Sequence, residues 1–410
     1  MAVVSPFRAL RPRSADAAAI ASVPYDVVST QEARDLAEGH PLSFLRVSRA
    51  EIELPATTDP YADAVYERAA DNFAQLKRSS LIVEDEPSLY VYRLRMGAHE
   101  QTGIAACFSI DEYEQDVIRK HERTRRDKED DRTRHILALR AQTGPVFLTY
   151  RALPDLGRLM ALAVLRAPLT DFEASDRVRH TIWRIDGSDC AALVQAFEAI
   201  PRLYIADGHH RAASAARARA DLRQRAAAGS QVEGDADFNT MLAVAFPHDQ
   251  VQILPYNRIA KDLGGLSPAQ FIEAVHARFT VEPGPPAPVG RGEIAMYFEG
   301  QWRKLQSRTA PPASDAVASL DVSVLQNTLL APVLQIVDVR TDRRIDFVGG
   351  VRGTGELKEL VDRRQAAVAF SMFPVTVADL MAVSDAGAIM PPKSTWFEPK
   401  LRDGLLIHMI

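Results

Sequence analysis

Tyr204-Ile205-Ala206-Asp207-Gly208-His209-His210-Arg211-Ala212-Ala213 joins a short apolar run to an Ala/Arg-rich segment through one Asp-Gly step. The apolar residues from Leu203 to Ala206 read as a buried strand, and the alanines and arginines beyond favour a helix. Strand, glycine turn and helix start together aim backbone N–H groups and the positive end of a helix dipole at an anion. Arg211, in the first turn, adds a planar cationic fork suited to phosphate. Asp207, His209 and His210 bring acid, base or metal-ligand chemistry to the same place. Ordinary capping would also explain a Gly-His pair, and Asp before Gly is a common turn. Neighbouring helical positions do not share a face, which disfavours both histidines binding one ion. The reading is a phosphate-handling catalytic turn.

Working outward, the 410 residues predict about two or three domains. With 47% hydrophobic and 25% charged residues the composition is that of an ordinary globular protein. A net charge of −5 gives no general case for nucleic acid or a membrane surface as partner. No apolar run approaches the roughly 18 residues that span a bilayer. Met1 to Arg8 lacks the charged-then-apolar pattern of a signal peptide. Cys107 and Cys190 are the only cysteines, so neither a disulfide framework nor a cysteine metal site is expected, and a reduced, cytoplasmic setting fits.

Helices and strands alternate along the chain, which predicts an α/β or α+β fold. Ser29-Thr30-Gln31-Glu32 is a capping box with Gly39 as the stop, predicting a helix over 30–38. Asp59-Pro60 opens a second helix, with Val65, Ala69, Phe73 and Leu76 at helical spacing. Leu89–Leu94 and Gly103–Ile110 flank a Gly-Ala-His-Glu turn, a hairpin pattern. A helix over 130–140, a strand over 146–150, an inserted helix–strand–helix over 152–200 and a long helix after the turn follow. Residues 229–237 read as a surface loop. Strands over 240–246, 294–298 and 367–373 alternate with helices over 268–279 and 355–364. The expected organisation is a mixed region over 1–114, a core over 115–260 with an insertion at about 152–200, and a C-terminal α/β region over 261–410.

The run Lys120-His121-Glu122-Arg123-Thr124-Arg125-Arg126-Asp127-Lys128-Glu129-Asp130-Asp131-Arg132 has the ordinary meaning of a solvated face. Its front edge reads differently, because the apolar Val117-Ile118 delivers His121-Glu122 into a loop rich in cations. A carboxylate at a strand end can serve as general base, with cations beside it holding phosphate. Glu122 is the candidate base; Glu129, Asp130 and Asp131 belong at a helix N-terminus. Met390 to Lys400, with Lys393-Ser394-Thr395 after two prolines, is either a loop closing over a ligand or a packed arm. Turn chemistry is enough to explain Ser22-Val23-Pro24-Tyr25-Asp26 and the segment from His40 to Val47. Gly349 to Gly355 fits neither the Walker pattern nor Gly-x-Gly-x-x-Gly, and reads as a flexible turn.

With these segments in hand, the sequence resembles the domain-of-unknown-function family 1015 over nearly its whole length. The resemblance rests on Val-Pro-Tyr-Asp at 23, Lys-His-Glu-Arg-Thr at 120, Ile-Ala-Asp-Gly-His-His-Arg at 205 and Met-Pro-Pro-Lys-Ser-Thr-Trp-Phe at 390. More narrowly, the Asp-Gly-His-His-Arg turn resembles the phosphate-binding turn of the ParB/sulfiredoxin superfamily, and within it that of free serine kinases. Those kinases carry a catalytic glutamate on an earlier strand, and His121-Glu122 stands in the corresponding order. Sulfiredoxin uses a cysteine in the turn where His209 stands, so sulfinic-acid reduction is not implied. ParB-type switches carry DNA-binding helices that this sequence lacks.

The resemblance implies a ParB/sulfiredoxin-like nucleotide-binding core with N- and C-terminal extensions. It implies a kinase moving phosphate from ATP or ADP to a hydroxyl of a small metabolite, with free serine a candidate acceptor. Glu122 would be the base and Asp207 its partner or a Mg²⁺ ligand; His209 and His210 would act at the reacting phosphate. Gly208, His209, His210 and Arg211 would hold phosphate with Lys120 and Arg123, while Lys393, Ser394 and Thr395 would line the substrate side. A small metabolite is the expected partner, a homodimer is left open, and neither nucleic acid nor membrane is expected. Two alternatives stand: a nucleotide-binding regulator without transfer, and a metal-dependent phosphoesterase using the same turn.

Overall fold

A computed structural model describes residues 2–227, 237–312 and 315–410. The loop expected over 229–237 falls, but for Asp237, outside the described residues. The chain forms two compact units, one of residues 1–251 with 399–410, the other of residues 252–398. Among the described residues no helix is long and apolar enough to cross a membrane.

The first unit is built on a mixed nine-stranded sheet. Its order runs Ile118–Arg119, Leu203–Asp207, Val146–Tyr150, Thr240–Pro247, His99–Ser109, Leu89–Met96, Val178–Ile185, Thr170–Glu173, with Val4–Ser5 also pairing His99–Ser109. Val146–Tyr150 and Thr240–Pro247 are buried at every position, which explains their unbroken apolar and β-branched character. The boundary expected near residue 114 falls inside this sheet, between neighbouring segments of it. The region 152–200 is likewise part of the sheet: Val178–Ile185 pairs along its whole length with Leu89–Met96. The short edge strand Thr170–Glu173 has no counterpart in the sequence reading.

Helices Pro154–Ala163 and Gly187–Phe197 bury Leu156, Met160, Leu193 and Phe197 in the core of this sheet. The long helix His209–Ala227 presents Ala212, Ala213, Ser214, Ala215 and Ala218 inward, small side chains that let it pack closely. Its buried Arg219 is neutralised by Asp111 at 2.5 Å and Glu114 at 2.6 Å. Thr30–Ala37 carries the expected capping box on Ser29 and Glu32. The second predicted helix opens at Asp63, just beyond Asp59-Pro60, and buries Val65, Ala69, Phe73 and Leu76. The charged helix spans Arg126–Leu139, starting four residues before the expected 130. Residues 399–410 return to this unit: Ile407 bridges Leu10, and His408–Met409 pairs with Ala141–Gln142.

The second unit is a six-stranded antiparallel sheet in the order Phe279–Pro283, Gln301–Ser307, Glu293–Phe298, Val368–Met372, Tyr256–Ala260, Ile345–Gly349. Helices Pro268–Arg278, Gly353–Asp362 and Val377–Asp385 belong to the same unit, Gly353–Asp362 opening within the glycine run at 349–355.

Candidate active site

The strand Leu203–Asp207 runs parallel to Ile118–Arg119 on one side and antiparallel to Val146–Tyr150 on the other. Its register slips between Ile205 and Asp207, where the chain leaves the ladder. Gly208 then takes φ of +89°, a conformation that a side chain would strain. The Gly208 N–H donates to Asp207 Oδ1 at 2.9 Å, and the first helical bond runs from Ala212 N–H to Gly208 O at 3.0 Å. The amides of residues 209–211 precede that bond, at the positive end of the helix.

Because Ile118–Arg119 is parallel to the turn strand, both strands end on the same side of the sheet, and the Lys120–Arg125 loop emerges beside the turn. Two histidines fasten it there. The His121 N–H donates to His209 Nε2 at 3.4 Å, and the Arg125 N–H donates to His210 Nε2 at 3.0 Å. A ring nitrogen that accepts carries no proton, so both imidazoles are neutral with the hydrogen on Nδ1. Burial holds His209 well below its ordinary pKa, and His121 beside it adds to the effect. Burial lowers His121 to about 4, against the opposing hydrogen bond to Ile205 O and the charge of Asp207. The His121 and His209 rings stand perpendicular with centroids 4.4 Å apart. Glu122 joins them: one ligand atom from each of His121, Glu122 and His209 falls within 4.8 Å of the others.

Asp207 is anchored from the far end of the chain by Lys400 Nζ at 3.0 Å. Burial alone would raise its pKa, but Lys400 and then Arg211 outweigh burial and hold the carboxyl well below the usual range. With one oxygen on Lys400 and the other on the Gly208 N–H, Asp207 fits a direct Mg²⁺ ligand poorly.

Arg211 differs most from its expected role. Its guanidinium is buried, donating to Pro145 O at 2.9 Å and pairing with Asp26 at 3.0 Å, and it lies 5.7 Å from the Tyr25 ring centroid. Burial opposes its charge, but Asp26, Asp403 and Asp207 keep it protonated. Both terminal nitrogens thus have protein acceptors, Nε is buried without one, and the side chain ties the Val23–Asp26 segment to the turn. Beside it lies a cavity of about 40 Å³ whose lining includes Tyr25, Ser48, Arg132, Gln142, Arg211 and Asp403. Burial pushes Asp403 up to about 7 despite Arg211, with Asp26 reinforcing the rise.

Glu122, Asp207, Gly208, His209 and His210 therefore share one locus. Lys120 lies near it, but its ammonium sits 4.1 Å over the Tyr113 ring and 3.8 Å from Asp116. Arg123 is exposed. Glu129 and Asp130 pair with Arg217, and Asp131 accepts from Tyr66 and Arg132, all structural contacts. Lys393, Ser394 and Thr395 belong to the second unit. There the Lys393 carbonyl accepts from Arg258, its ammonium lies over Tyr256, and the Ser394 hydroxyl donates to Pro391 O. Sequence reasoning missed Lys400, Asp26 and Asp403 as partners of the turn. Tyr25-Asp26 does lie in the motif at 23, and Lys400 ends the segment from Met390, and those stretches were the only signal for them.

The family model of DUF1015, a protein of unknown function, matches residues 4–323. The chain belongs to the DUF1015 family. No curated protein matches it. Among solved structures it is similar to a C-terminally truncated SbnI from Staphylococcus aureus, at 12% identity and a TM-score of 0.40, over 73% of this chain and 85% of that one. A free serine kinase in complex with AMP matches at 12% identity and 0.36, over 73% and 91%. A conserved hypothetical protein from Pyrococcus furiosus matches at 13% and 0.35, over 74% and 94%. Scores this low leave the chemistry of the DUF1015 turn to be argued from its own side chains.

Proposed function

We propose that this DUF1015 protein is a small-molecule kinase that moves a phosphoryl group from ATP or ADP to the hydroxyl of a small metabolite, with free serine a candidate. The observation that carries the reading is the placement of the Glu122 carboxylate beside His209 at the N-terminus of the helix His209–Ala227. That end of the helix offers first-turn amides and dipole charge to a phosphate. Glu122 is half-buried, so an acceptor can reach it.

In this reading the acceptor oxygen bonds to the terminal phosphorus as the bridging oxygen of the nucleotide departs. The hydroxyl proton passes to Glu122, and the products are a phosphate ester and ADP or AMP. Little covalent work falls to the protein, whose task is positioning and charge neutralisation. His209 and His210 act by holding the Lys120–Arg125 loop, and with it Glu122, against the turn. Arg211 and Lys400 brace the turn, and Lys120 and Arg123 supply positive charge nearby.

Glu122→Gln tests the assignment, since it keeps shape and hydrogen-bonding reach but loses basicity. Turnover is expected to fall by about 10²- to 10⁴-fold, with nucleotide affinity by calorimetry and melting temperature close to wild type. Full turnover with a lowered melting temperature would return Glu122 to a structural role.

A further inference from the structure

The histidine–glutamate–histidine cluster has a second chemical capacity. His121 and His209 reach it from segments 88 positions apart, both imidazoles are buried, and the His209 Nε2 lone pair that accepts from the His121 N–H is the kind that ligates metal. We propose that His121, Glu122 and His209 together bind one divalent transition-metal ion. Two nitrogens and one carboxylate oxygen suit Zn²⁺, Mn²⁺, Fe²⁺ or Co²⁺, whereas Mg²⁺ and Ca²⁺ favour sets made of oxygen alone. Three protein ligands leave coordination positions open for water or a substrate oxygen.

The geometry needs little change to close on an ion. Ligand atoms on a common ion, each about 2.1 Å from it, stand no more than about 4.2 Å apart, against the 4.8 Å limit here. The buried rings are fixed by packing, and Glu122 is the less buried member, so its side chain supplies the movement. The His121 ring donates to Ile205 O, the kind of outer hydrogen bond that orients a metal-bound imidazole. The His121 N–H to His209 Nε2 contact, at 3.4 Å, is long enough for an ion to compete for that lone pair at small cost.

An occupied site takes Glu122 out of proton transfer, so the same ion inhibits the kinase; this consequence, unlike the site itself, rests on the proposed transfer. The test uses the full chain stripped by a chelator, with no nucleotide or acceptor present, so its failure is distinct from failure of the kinase reading. Co²⁺ is titrated by visible absorption and Zn²⁺ by calorimetry. One ion per chain is expected, with affinity weakened at least about tenfold in Glu122→Gln and in His209→Ala, and unchanged in His276→Ala at an exposed histidine of the second unit. Absence of saturable binding, or equal affinity in wild type and Glu122→Gln, overturns the proposal.

Discussion

Replacing Arg211 by alanine distinguishes a strut from a phosphate ligand. In the structure the guanidinium makes two charge-assisted hydrogen bonds, to Pro145 O at 2.9 Å and to Asp26 at 3.0 Å, with its side chain 9% exposed. Removing one partner of a buried ion pair costs about 3–5 kcal/mol, mostly because the other charge is left uncompensated. Asp26 is a third exposed and recovers some hydration, which places the expected loss nearer the lower figure. Asp403 adds a pH dependence. Arg211 draws its pKa down, so without Arg211 a buried carboxylate loses its main source of stabilisation. The penalty is therefore larger at pH 8, where Asp403 must be ionised, than at pH 5, where it takes a proton. Urea unfolding of wild type, Arg211→Ala, Asp26→Asn and the double variant at both pH values gives the coupling directly. Arg211→Ala with wild-type stability at both pH values and a nucleotide affinity weakened by about 1.5–3 kcal/mol would refute the strut and restore the phosphate contact.

Two further outcomes follow from the same locus. Asp403, raised from 3.8 to about 7, binds its proton more tightly in the folded chain, so its contribution is full below pH 4 and is lost as pH rises to 7. The loss amounts to about 4 kcal/mol at most, and Asp403→Asn should flatten that part of the stability profile measured by denaturant unfolding at pH 4 to 8. Gly208→Ala meets only ordinary contacts at Val146 and Arg211 but forces a side chain into φ of +89°, for an expected loss of about 1–2 kcal/mol in a thermal melt.

The strand Val146–Tyr150 stands where the sequence predicts it, and Val178–Ile185 is the strand of the helix–strand–helix predicted over 152–200, since runs of β-branched and aromatic residues leave little alternative. The turn at Asp207-Gly208 was legible for a similar reason: one glycine separates a strand pattern from a helix pattern. The start of the charged helix was not, because Arg126 to Glu129 carry no apolar period and are held by Asp127 and Glu129 in the first turn. Thr170–Glu173 is a four-residue edge strand, too short and too polar to announce itself. The partners of the turn were hidden by distance along the chain. Asp26 lies 185 positions from Arg211, and Lys400 lies 193 from Asp207, so local chemistry could not couple them. Arg211 has the residue type of a phosphate fork, and only packing shows that its two terminal nitrogens already face Pro145 O and Asp26.

Transfer of label tests the central claim most directly. The full chain is incubated with ATP carrying a labelled γ-phosphate, or ADP carrying a labelled β-phosphate, and a panel of amino acids and small alcohols. The account predicts one labelled phosphate ester, formed with matching ADP or AMP and suppressed by Glu122→Gln. Nucleotide bound tightly yet left unconsumed across the whole panel, or hydrolysed at a rate that no acceptor alters, would contradict it.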